Sequence, residues 1–101
     1  MRVMVLFDLP VETAEERRAY TKFRKQLMGK GFVMMQESVY TKIVLNPSAA
    51  KAVIGYVRAI SPKEGLIQAL VITEKQYAGI ELIIGETQKE IVDTNEKLVI
   101  L

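Results

Sequence analysis

The chain has 101 residues, half of them apolar and 26% charged, with a formal net charge of +2. That is a globular composition, and it excludes a disordered polyelectrolyte. Neither cysteine nor histidine occurs, which excludes disulfides, thiolate chemistry, a histidine general base and cysteine or histidine metal sites, leaving carboxylates to hold any metal, a hard ion such as magnesium, calcium or manganese.

Residues 3–7 form an unbroken apolar run closed by Asp8 and Pro10, the pattern of a buried central strand. Thr13 followed three positions later by Glu16 is a capping box: the hydroxyl accepts from the Glu16 amide while the Glu16 carboxylate reaches back. The helix it opens runs to about Met28 and ends at Gly29 or Gly31. Tyr20, Phe23 and Leu27 recur on its apolar face; Arg18, Lys22 and Lys25 fall opposite, with Arg17 and Arg24 on the flank. Residues 32–35 and 38–45 read as strands bent near Gln36 and Glu37.

Asn46 and Pro47 then supply an N-cap and a proline in the first turn. The helix that follows carries an apolar stripe of Ala49, Ala52, Val53, Tyr56, Val57 and Ile60, and Ser61-Pro62 ends it. Residues 66–73 make a strongly apolar strand, and residues 81–84 a short one between Gly79 and Gly85. The order strand, helix, strand, strand, helix, strand predicts an α+β, ferredoxin-like βαββαβ fold, an antiparallel sheet with both helices on one face. The length predicts a single domain over 1–101. The last residues, 98–101, are apolar, which predicts that the tail from about 86 to 101 docks as a short C-terminal strand on a sheet edge. No apolar run reaches the ~18 residues of a membrane span, and the opening run is too short for a secretory signal, so a cytoplasmic location is expected.

The net charge hides an asymmetry. Residues 1–63 carry eleven Lys or Arg against five Asp or Glu, a balance of +6; residues 64–101 carry three against seven, a balance of −4. A basic front half suits a polyanion, and an acidic tail suits a basic partner or plain solubility. Asp8, at a strand end before a loop, is the one acid whose position points to chemistry. On position alone an Asx-turn or a solvated acid next to Pro10 is the more usual reading. One carboxylate is too little for a metal site, but a two-fold dimer with the strand end near its axis supplies a second. The basic helix face is ordinarily solvation, and Tyr20, Phe23 and Tyr56 read as core. Gly29 and Gly31 around Lys30 lack the spacing of a phosphate loop.

VLFDLP with Asp8, the Arg17-Arg18 doublet, KGFVMMQESVYTKIV and GYVRAISP together resemble the CRISPR-associated protein 2 family, over residues 1 to about 85. That resemblance implies a ferredoxin-like homodimer that works in spacer acquisition with CRISPR-associated protein 1, the integrase. It implies a metal-dependent endonuclease on RNA or DNA, using Mg2+ or Mn2+, with Asp8 as the catalytic and metal-binding residue contributed by both protomers. Arg17 and Arg18 match the family's basic positions near nucleic acid, and Lys22 and Lys25 extend that face. The partners implied are a second copy, the integrase, and double-stranded DNA or single-stranded RNA; no membrane is involved.

Two readings follow. In one, a metal between two copies of Asp8 promotes phosphodiester hydrolysis while Arg and Lys position the backbone. In the other, the dimer is a non-catalytic DNA-binding scaffold bridging integrase subunits by phosphate contacts, and Asp8 is structural. A third, an unrelated ferredoxin-like RNA-binding or regulatory domain, lacks the exposed strand aromatics on which RNA-recognition modules stack bases.

Overall fold

In the computed structural model, which describes residues 1–85, the elements are β1 (Arg2–Asp8), α1 (Ala14–Gly29), β2 (Val33–Gln36), β3 (Val39–Ile43), α2 (Pro47–Ile60), β4 (Leu66–Ile72) and α3 (Glu74–Ala78). The four strands form one sheet in the order β2-β3-β1-β4, every pair antiparallel. This is the ferredoxin-like arrangement. Local chemistry explains the helix starts. Thr13 and Glu16 close the capping box of α1, and Asn46 accepts from the Ala49 amide at 2.8 Å to cap α2.

The pleat of β1 sends Val3, Val5 and Phe7 to one face, where they pack with Phe23 and Leu27 of α1 and with Ala50, Val53 and Val57 of α2. Both helices therefore cover the same face. Met4 and Leu6 point the other way and are only half-buried. The strand is central, as its apolar run predicts, but among the described residues α1 and α2 cover only one side of it. Directly paired residues share a face, so Ile43, opposite Arg2, and Leu70, opposite Met4, lie on the uncovered side, and both are exposed. That face is largely apolar and faces outward.

Some sequence expectations need correction. The buried stripe of α2 centres on Ala50, Val53 and Val57, and Ala52 is exposed, because the helix is rotated toward the Ala50 side. Strand β4 is apolar yet mostly exposed, since it lies at the sheet edge beyond the helices' reach. Residues 81–84 make no strand: Ile83 and Ile84 are exposed and the segment pairs with no sheet edge among the described residues, and without a ladder partner extended chain is not a strand. In front of it the chain forms α3, opened by a second capping box between Thr73 and Gln76. Helix α3 is tied to the start of β1: the Arg2 guanidinium lies 3.7 Å from the Tyr77 ring centroid and bonds Glu74 at 3.1 Å, and the Met1 amino group lies 3.3 Å from the same carboxylate. The expected C-terminal strand and the part of the acidic tail from 86 to 101 fall outside the described residues.

Candidate active site

Asp8 is the last residue of β1, exposed, and paired with Leu66 of β4. Its backbone is held firmly. The neighbouring Phe7 ring packs edge-on against Phe23 (5.1 Å) and Tyr20 (6.0 Å) and stacks on Tyr40 (5.7 Å), so an aromatic cluster anchors the strand end. The Phe7 amide donates to the Ser38 carbonyl at 3.0 Å, tying in the β2–β3 turn, where Ser38 adopts φ +66°. On the other side Gly65, at φ +106°, lets the start of β4 come against the Asp8 carbonyl. By strand alternation the Asp8 side chain belongs with Met4 and Leu6 at the rim of the uncovered apolar face.

The loop after Asp8 is fastened from both sides by the first turn of α1. The Glu16 carboxylate accepts from the amides of Glu12 (3.0 Å) and Thr13 (2.9 Å). Arg17 donates through Nη1 to the carbonyls of Val11 (3.2 Å) and Glu12 (2.8 Å). An open groove of about 450 Å³ lies beside this loop, lined by Leu9, Pro10, Tyr20, Pro62 and Glu64 among others. Asp8 is not part of its lining, so the groove is not a pocket around the carboxylate.

Arg18, Lys22 and Lys25 are exposed on α1, and among the described residues none is in an ion pair. Arg17 is exposed as well, but its guanidinium faces the loop carbonyls rather than standing free. Helix α1 covers the face of Val3, Val5 and Phe7, whereas Asp8 lies with the opposite face. A single chain therefore keeps its basic helix surface and its candidate carboxylate on different sides of the sheet. Sequence reasoning missed Gly65, and it placed Arg24 on the flank of the basic face without its contact: the Nε of this half-buried residue donates to the Tyr40 hydroxyl at 2.8 Å. A glycine directly before an apolar strand was the available signal for the first; nothing local marked the second.

No group of three or more acidic residues gathers among the described residues. Asp8 by itself does not make a protein-built metal site. It does fit a magnesium ion that keeps most of its waters and takes one or two carboxylates, provided a second copy brings its own Asp8 to the same rim.

The sequence model of the family described as CRISPR associated protein Cas2 matches residues 1–80. Three curated relatives are named CRISPR-associated endoribonuclease Cas2. That of Treponema denticola is 50% identical over 101 residues, the full length of both chains. That of Ligilactobacillus salivarius is 43% identical, again over the full length of both. That of Streptococcus mutans is 46% identical, over all of this chain and 93% of the relative.

Proposed function

The chain belongs to the CRISPR-associated Cas2 family, and from that premise we propose that it is a metal-dependent endoribonuclease or endonuclease of CRISPR adaptation that acts as a homodimer. The observation that carries this reading is the placement of Asp8: a well-anchored, exposed carboxylate at the rim of a largely apolar sheet face that α1 and α2 do not cover. A second copy seated on that face removes exposed Ile43, Leu66 and Leu70 from water, at roughly 25 cal/mol per Å² of apolar area. The same contact brings a second Asp8 to the rim.

In this arrangement the two Asp8 carboxylates would hold Mg2+ or Mn2+, which would supply positive charge to offset the charge developing on a phosphodiester during cleavage. The chain's own work is positional. Phe7 and Gly65 hold Asp8 in place, and Glu16 and Arg17 hold the loop beyond it. Arg18, Lys22 and Lys25 bind backbone phosphates without reading sequence. Because those cations and Asp8 lie on different sides of the sheet, binding and cleavage are separable by mutation.

The partner in spacer acquisition is the integrase, CRISPR-associated protein 1. Cleavage assays on single-stranded RNA and duplex DNA, with and without magnesium, test the reading against an Asp8→Asn control. Metal-dependent cleavage lost in the variant supports it. Undiminished cleavage by the variant removes Asp8 from the chemistry, and nucleic-acid binding without cleavage by either protein favours the non-catalytic scaffold.

A further inference from the structure

Arg24 sits where the core side of α1 gives way to its basic side, directly before Lys25, and is half-buried. Its Nε–H donates to the Tyr40 hydroxyl at 2.8 Å. That acceptor is fixed: Tyr40 is only 1% exposed, and its ring stacks on Phe7 at 5.7 Å. Among the described residues the two Nη groups of Arg24 make no hydrogen bond, and no carboxylate stands within ion-pair distance. Among the described residues no buried side-chain nitrogen lacks a partner, so the Nη groups of Arg24, which have none, face solvent while Nε is held by Tyr40. The arrangement gains its use from an anion that arrives from outside. With Nε pinned, the two Nη groups present a fixed fork, the geometry that matches two oxygens of one phosphate.

We propose that Arg24 is a preset anchor for a backbone phosphate of nucleic acid, oriented by Tyr40. This inference rests on the reading of α1 as the nucleic-acid face. Tyr40 never touches the ligand; it is a positioning residue whose hydroxyl removes rotamer freedom from Arg24 before binding.

Binding of a fluorescent duplex DNA and of a single-stranded RNA, each across a salt series, is measured for the wild type, Arg24→Ala, Arg24→Lys, Tyr40→Phe and Arg18→Ala, with a thermal melt of each. Arg24→Ala weakens binding and lowers the log–log salt slope by roughly 0.9 on duplex DNA or 0.7 on RNA, the signature of one lost phosphate contact. Tyr40→Phe keeps every charge, so its slope stays at the wild-type value while affinity falls roughly two- to ten-fold through lost preorganisation. Arg24→Lys keeps the charge without the fork and falls with Tyr40→Phe. The nucleic acid whose affinity responds is the one anchored here. Wild-type affinity and slope in the two Arg24 variants, with Arg18→Ala flattening the slope, overturn the role of Arg24 alone, and changed melting temperatures then leave it a purely structural partner of Tyr40. A wild type that binds neither nucleic acid overturns the α1 reading and this inference together.

Discussion

A Cβ placed on Gly65 would lie 2.8 Å from the carbonyl oxygen of Asp8 and 2.6 Å from Cδ2 of Leu9. The first contact is with backbone, which cannot swing aside as a flexible side chain can. Gly65 also holds φ +106°, a conformation that costs other residues of order 1–3 kcal/mol. Gly65→Ala is therefore expected to lower stability by about 1–3 kcal/mol and to push the end of β1 off its register with β4. Thermal melting reads the first effect, and a loss of cleavage larger than the loss of nucleic-acid binding reads the second.

Asp8→Asn keeps the size of the side chain and removes its charge at an exposed position, so stability should move by less than ~1 kcal/mol. In the proposed dimer two such charges disappear from one rim. Magnesium is expected to raise the melting temperature of the wild type and leave the variant unmoved. Equal stabilisation of both proteins by magnesium would place the ion elsewhere.

Leu70→Glu puts a charge on the edge strand of the face that α1 and α2 leave open, opposite Met4, at a side chain already half in water. The monomer should tolerate it within ~1 kcal/mol. Dimerisation through that face should not, because a carboxylate buried there has no partner. Sedimentation at low micromolar concentration is expected to show a dimer for the wild type and a folded monomer for the variant; a dimeric variant moves the interface to another surface.

Arg17→Ala removes two donors to the loop after Asp8 rather than a free cation. The expected cost is about 0.5–1.5 kcal/mol for each bond, toward the lower end for exposed groups. Faster amide exchange across residues 9–13 and a salt slope close to that of the wild type should accompany it. Arg18→Ala, by contrast, should flatten the slope with little effect on exchange. A slope lowered equally in both variants would make Arg17 a phosphate ligand after all.

Glu74 titrates in the clasp between α3 and β1. Desolvation pushes its carboxyl upward, but the hydrogen bonds from Arg2 and the amino terminus, and their charges, outweigh that and hold it below the usual carboxylate value. A carboxyl lowered in the folded state stabilises at pH above its unfolded value, and that contribution is lost as pH falls through the lower, folded value. The wild type should thus lose part of its stability toward acid pH, while Glu74→Gln is less stable at neutral pH and flatter in that window. Parallel melting curves across the range would refute the link.

Much of the fold is legible along the chain because short-range forces write it. The capping box of Thr13 and Glu16, the Asn46 cap before Pro47 and the apolar stripes of both long helices join residues at most a few turns apart, so they can be read without knowing what packs where. Asp8 stands out for the same reason: it ends an apolar run and begins a loop. The strand order also follows, since βαββαβ with short connections leaves few topologies. Other features depend on residues distant in sequence. Which side of β1 is covered depends on where α1 and α2 come to rest, and the exposure of apolar β4 depends on their not reaching the edge. Whether Arg17 serves phosphate or loop carbonyls, and whether Arg24 stands free or is pinned by Tyr40, is a choice among partners that one chain pattern offers equally. The sequence by itself therefore determined the two long helices, the four strands, their order and the candidate carboxylate. Only the tertiary structure decided which faces are buried, that Gly65 admits the close approach at Asp8, and that the basic surface and the carboxylate lie on opposite sides of the sheet, because packing between distant segments sets all three.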